Sequence, residues 1–310
     1  MMYAHTNTYQ FYCSINNATS KPQRCVWCVH RYRRPIYIHH KERVPDGALA
    51  PRSDVDKIQE LYEKKSIVVV DNFLKPEVLQ ALHEFAALSQ IYTDTKPRGY
   101  VGTYWEHGFM TPLLLQVIEE LPKMFPKIFH DYSLSNSWAY NYDNEYHKGI
   151  QIHGDEAAVN CNLWVTPDDA NLDTESGGLI VYTKPVPLDW NFDLYNSAAG
   201  DASIAELLKD SGNVVVPYRR NRIVLFKSDL LHASANMKFK PGFKNRRINL
   251  TFLYGARGQG EDATSVRQRA ETSIADSTKM TEPVESQKTS EPTESKKKPE
   301  PVEYERKMEL

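Results

Sequence analysis

Between Trp138 and Tyr254 the chain breaks into short β-type runs separated by turn residues, and this rhythm limits its fold more than any other feature. The runs are Trp138–Tyr142, Gly149–His153, Val159–Val165, Leu179–Thr183, Val214–Tyr218, Arg222–Phe226 and Arg247–Tyr254. Each is bounded by turn-forming residues, and most are rich in β-branched or aromatic side chains. At least seven such runs in sequence predict a sandwich or barrel of the jelly-roll kind. Ahead of them the texture is helical. Val55, Ile58, Leu61 and Tyr62 recur at helical spacing, which predicts a helix over Asp54–Lys65 behind a Ser53 or Asp54 cap. Ser66–Val70 reads as a strand, Pro76 opens a helix through Leu88, and a further helix runs from Thr111 to about Glu120, limited by Pro122 and Pro126. The fold class is therefore mainly β with flanking helices, α+β.

Composition divides the chain of 310 residues into a leader over 1–52, a folded domain over 53–257 and a polar tail over 258–310. The leader has no acidic residue before Glu42, and the tail is dominated by Glu, Lys, Ser, Thr and Pro. Such a tail buries too little surface to offset its ordering entropy and reads as disordered. With 38 basic and 40 acidic residues the net charge is −2, which gives no chain-wide footprint for nucleic acid. No apolar run approaches the roughly 18 residues of a membrane span. Four cysteines are too few for a disulfide scaffold, so a reducing compartment, the cytoplasm, is the default reading. The acid-free leader also suits a transit peptide, and Lys296, Lys297 and Lys298 a nuclear address. Cys25 and Cys28 have the spacing of half a zinc site, with Cys13, His30, His39 and His40 as partners, but an unligated leader fits the incomplete pattern better.

The sharpest chemical feature is His153-Gly154-Asp155 at the end of a predicted strand, where residues two apart share a face and can grip one ion. Chance alone supplies about 0.6 His-x-Asp triplets in a chain of this composition, so the surroundings decide. His232, the one histidine after residue 153, follows the apolar run Ile223–Phe226, and an arginine-bearing strand comes next. Two histidines and one aspartate are the ligand set of non-haem Fe(II) centres that keep open positions for reactants. His147 lies six residues before His153 along an extended chain, about 20 Å away, and is left out of the set.

Along Arg246–Phe252 one face carries Arg247, Asn249 and Thr251, and the other Arg246, Ile248, Leu250 and Phe252. The polar stripe is placed inside the barrel, with Arg247 as the partner of a buried carboxylate and Thr251 as a neighbouring hydroxyl; Arg246 is the alternative fork. Asn160, Asn162 and Trp164 share one face of the strand after the triad, and Tyr140 and Tyr142 one face of the strand before it. Asn162 and Tyr140 are candidates to touch the cosubstrate, against plainer roles in loop bonding and core packing. The glycine-flanked aromatic stretch Arg98–Trp105 reads either as a flap over a pocket or as an ordinary surface loop.

His-x-Asp, a distant histidine and a basic residue 15 positions after it give a pattern that resembles the Fe(II)- and 2-oxoglutarate-dependent dioxygenases, over about 120 residues from Trp138 to Gly255. Ser176-Gly177-Gly178-Leu179 is similar to the glycine-rich strand entry of prolyl hydroxylase and phytanoyl-CoA dioxygenase relatives. The resemblance implies a double-stranded β-helix, the cupin-like jelly roll, with His153, Asp155 and His232 on iron and Arg247 on the 2-oxoglutarate 5-carboxylate. It implies Fe(II) as metal, 2-oxoglutarate and O2 as cosubstrates, ascorbate as an optional reductant, and succinate and carbon dioxide as products. An aspartate at 155, where a halogenase has a small residue, favours hydroxylation. The substrate it implies is a small molecule or a protein side chain, and no segment specifies an oligomeric state. The reading from a different class is a cupin-like protein that binds a metal or small ligand without turnover.

Overall fold

The structure, a computed structural model, describes residues 37–197 and 200–259. It opens with helix α1 (Val55–Lys65), strand β1 (Ile67–Val70), helix α2 (Pro76–Leu88), a hairpin of β2 (Asp94–Lys96) and β3 (Tyr100–Tyr104), and helices α3 (Pro112–Met124) and α4 (Pro126–Phe129). Strands β4 (Leu134–Tyr142), β5 (Val159–Trp164) and β6 (Leu179–Pro185) follow. Two helices, α5 (Phe192–Asn196) and α6 (Asp201–Leu208), then precede β7 (Asn213–Val216), β8 (Ile223–Lys227), β9 (Leu230–Ser234) and β10 (Ile248–Tyr254).

The strands pair antiparallel in two sheets, β1-β8-β5-β10-β4-β3-β2 and β7-β6-β9. From β4 onward the chain winds between them. β4, β5, β8 and β10 join the larger sheet and β6, β7 and β9 the smaller, while residues 150–153 attach to β9 through the His153–His232 bridge. This is a double-stranded β-helix. One face of the larger sheet packs on the helices: Ala139, Cys161, Leu163, Leu225, Leu250 and Phe252 belong to one buried cluster with Val78, Leu82 and Phe85 of α2 and Leu114 and Val117 of α3. Period-two alternation then sends Arg247, Asn249 and Thr251 the other way, between the sheets.

Several boundaries differ from the sequence expectation. The helix predicted to stop before Pro122 runs through it to Met124. The proline frees the carbonyl of Ile118, four residues earlier, and the Tyr254 hydroxyl donates to that carbonyl at 2.8 Å, so the usual loss is made good from β10. The Asp54 side chain does not cap α1 but pairs with Arg52. Gly149–His153 is not a continuous strand: Gly149 takes φ +64°, and after its left-handed turn the segment meets β9 only through Ile150–Ser234 bonds and an isolated bridge at His153. The stretch Arg98–Trp105 is no loop: most of it is β3, paired with β4 along five residues. Before residue 53, Ala48 and Leu49 are buried, and their amides donate to Glu120 at 2.7 and 3.2 Å.

Among the described residues no helix is long and apolar enough to cross a membrane. Cys13, Cys25, Cys28 and His30, and the tail beyond Gln259 with Lys296, Lys297 and Lys298, lie outside the described residues.

Candidate functional site

The two sheets enclose a cavity of about 620 Å³, lined among others by His153, Asp155, His232, Asn162, Arg247, Asn249 and Thr251. His153 and His232 come from segments far apart in the chain yet face each other as a cross-strand pair. Each backbone N–H donates to the other's carbonyl, at 3.0 and 2.9 Å, and the rings stand 4.3 Å apart between centroids. Asp155, two residues past His153, brings Oδ1 to 3.9 Å from His153 Nε2 and Oδ2 to 3.5 Å from His232 Nε2. One ligand atom from each of the three residues lies within 4.8 Å of the others. The Nδ1–H of His153 donates to the Gln151 carbonyl at 2.8 Å, which leaves Nε2 with a free lone pair. Burial pushes the His232 imidazole down to about 4, with the neighbouring His153 acting in the same direction, so His232 is neutral near pH 7. Two imidazoles and one carboxylate are a donor set that fits a divalent metal ion.

The carboxylate is held from behind. Asn160 Nδ2 donates to Asp155 Oδ2 at 2.6 Å, Asn162 Nδ2 to Asn160 Oδ1 at 2.7 Å, and Asn249 Nδ2 to Asn162 Oδ1 at 2.7 Å. Thr251 Oγ1 accepts from Asn249 at 2.8 Å and lies 3.3 Å from Asn162 Oδ1. A carboxylate only accepts, so it fixes the direction of every amide in this buried row. Alternation along the sequence places Asn160, Asn162, Asn249 and Thr251 on inward faces but does not contain the bonds themselves: Asn160 joins Asp155 to Asn162, and Asn249 joins Asn162 to Thr251.

Arg247 stands immediately before β10, only 1% exposed. Its Nε donates to the Gly177 carbonyl at 2.7 Å and Nη2 to that of Gly178 at 3.3 Å, so the glycine-rich turn before β6 holds the guanidinium. The carbon at its centre lies 4.9 Å from the Tyr142 ring centroid and 5.5 Å from that of Trp164. Nη1 has no hydrogen-bond partner, and among the described residues no carboxylate pairs with this arginine. Burial lowers its pKa from the ordinary value, and the Tyr142 and Tyr218 phenols oppose that shift. A buried guanidinium with an unpartnered N–H beside a cavity is a place for an anion. Arg246, the alternative fork, points the other way and pairs with Asp143. Tyr140 lines the cavity, but it packs among Tyr100, Trp138 and Tyr142 rather than beside Arg247, which has Tyr142 as its phenol. His147 stays outside the triad and reaches the Met237 carbonyl at 3.1 Å.

No protein-family model and no curated protein matches the chain. Solved structures do. The non-heme alpha ketoglutarate dependent carbocyclase SnoK from nogalamycin biosynthesis is similar at 11% identity over 68% of this chain and 89% of its own, with a TM-score of 0.45. A Pseudomonas putida prolyl-4-hydroxylase is similar at 13% identity over 66% of this chain and 100% of its own, with a TM-score of 0.43. HygX from Streptomyces hygroscopicus, with nickel, 2-oxoglutarate and hygromycin B bound, is similar at 12% identity over 64% of this chain and 86% of its own, with a TM-score of 0.45.

Proposed function

We propose that the protein is an Fe(II)- and 2-oxoglutarate-dependent dioxygenase, with His153, Asp155 and His232 as metal ligands and Arg247 as the partner of the 2-oxoglutarate 5-carboxylate. The observation that carries this reading is the unpartnered, buried Nη1 of Arg247 in the same cavity as two imidazoles and a carboxylate. When bound, ferrous iron and 2-oxoglutarate supply an oxidant from O2, with succinate and carbon dioxide as products. The chain's own residues bind and orient. His153 and His232 offer lone pairs from opposite strands, Asp155 neutralises part of the metal's charge, and Asn160 occupies one side of its carboxylate. Thr251 and Asn162 form the polar floor toward Arg247, and the apolar layer behind them excludes water.

Turnover tests the reading. Protein supplied with Fe(II), 2-oxoglutarate and ascorbate, and incubated with pooled metabolites and peptides, should form succinate once O2 is admitted, with one oxygen atom gained by a member of the pool. Binding of 2-oxoglutarate without O2-dependent succinate would instead favour a cupin-like binding protein. A second expectation concerns Asn160, which is fully buried and hydrogen-bonded on both sides. Asn160→Leu keeps the branched shape and removes the donor to Asp155, and should weaken Co(II) binding about 10- to 100-fold, as loss of an outer partner of a metal ligand does. Asn162→Leu leaves the Asn160–Asp155 bond in place and should change Co(II) affinity far less, both read by calorimetric titration.

A further inference from the structure

The β3–β4 wall of the cavity carries aromatic rings that the metal centre does not use. In the β3–β4 pairing Tyr100 faces Tyr142, Gly102 faces Tyr140 and Tyr104 faces Trp138, so these side chains share the inward face. Tyr100 and Tyr140 lie 5.0 Å apart between ring centroids, and Trp138 and Tyr140 6.0 Å. Gly102 makes this packing possible: a Cβ there would come within 3.0 Å of Tyr140 Cε1, so the absent side chain lets the ring lie over the neighbouring strand. Phe192 of α5 is 50% exposed and lines the same cavity. Aromatic rings from β3, β4 and α5 around one space make it a slot that favours a flat apolar occupant.

Charge narrows the occupant further. Lys96 is paired with Asp94 at 2.6 Å, and Arg98 donates to the carbonyls of Gly149 and Lys148 at 2.7 and 2.9 Å. Glu156 accepts from the Tyr195 hydroxyl, and Asp201 stands exposed at the open edge. Lys96 is thus neutralised, while Arg98, bonded to carbonyls, keeps its charge against two carboxylates, Glu156 and Asp201, along the same lining, so a phosphate or a coenzyme A tail would meet more negative than positive charge. We infer that the slot takes an uncharged, ring-bearing small molecule as the substrate, laid against Tyr140 and covered by Phe192. This rests on the dioxygenase reading above.

Calorimetric titration of the full chain, loaded anaerobically with Co(II) and 2-oxoglutarate, tests it with 2-naphthol, 2-naphthyl phosphate and a short proline-containing peptide as probes. Expected are saturable binding of 2-naphthol and affinity at least about tenfold lower for the phosphate, whose charge must be desolvated unpaired. Tyr140→Ala and Phe192→Ala should each weaken 2-naphthol about tenfold. Phe192 is half in solvent, so its truncation does not endanger the fold. Absence of 2-naphthol binding, tighter binding of the phosphate or the peptide, or unchanged 2-naphthol affinity in both variants would overturn the inference. Uptake of Co(II) and 2-oxoglutarate in the same samples separates this failure from failure of the dioxygenase reading, which would show as no uptake of either.

Discussion

Asp155→Ala should lower the affinity for Co(II) or Fe(II) by more than about a hundredfold, beyond the range seen when only an outer partner of a ligand is lost. His153 and His232 offer imidazole nitrogens and Asp155 is the anion of the set, its two oxygens 3.9 and 3.5 Å from the His153 and His232 Nε2 atoms. Truncation leaves two imidazoles 4.3 Å apart with no negative charge to offset a dication. The same change orphans Asn160 Nδ2, which is fully buried, at a cost of about 1–3 kcal/mol. The variant should therefore melt somewhat earlier yet remain folded, and circular dichroism alongside the metal titration distinguishes the two effects. Unchanged metal affinity in a folded Asp155→Ala protein would remove the triad from consideration.

Arg247→Met should weaken 2-oxoglutarate binding by about 30-fold or more while leaving Co(II) affinity close to that of the parent. A buried charge pair broken at one partner costs about 2–5 kcal/mol, and that range sets the expected loss. The apo protein should change little in stability, because two effects oppose each other. The guanidinium is 1% exposed and has no carboxylate partner, so its removal relieves a desolvation penalty; the Gly177 and Gly178 carbonyls meanwhile lose their donors. The readout is differential scanning fluorimetry. At 100 times its dissociation constant a ligand stabilises by about 2.7 kcal/mol, a clear upward shift in Tm for the parent that Arg247→Met should lack at the same concentration. An equal shift in both proteins would show that the anchor lies elsewhere.

Much of this site could be read along the chain because strands encode it locally. Alternation separated Arg247, Asn249 and Thr251 from Ile248, Leu250 and Phe252, and the structure divides them the same way. His153, Asp155 and His232 stood out by residue type and spacing, and the fold brings them together. What escaped was set by long-range pairing. Leu230–Ser234 is a strand because it lies against β6, not because of its own composition, and the polar hairpin Asp94–Tyr104 is one because β4 offers an edge. The continuation of α3 through Pro122 depends on a hydroxyl 132 residues later in the chain, which no local rule contains. Asn160 was visible as a polar residue on an inward face, but its hold on Asp155 needed the turn at residues 155–158 to be seen in three dimensions.

The mutual backbone bonds of His153 and His232 tie occupancy of the centre to the closure of a short seam. Few other contacts of this kind secure residues 150–153: Ser234 donates to the Ile150 carbonyl at 3.2 Å, and its hydroxyl accepts from the Ile150 amide at 3.1 Å. Opening the seam parts the two imidazoles, so any ion that needs both resists it. Deuterium uptake at the His153 and His232 amides should slow about a hundredfold when Co(II) stands at 100 times its dissociation constant, while amides in the middle of β10 keep their rate. The ion would then act as a latch on the barrel, and the backbone would report its presence without any substrate being known.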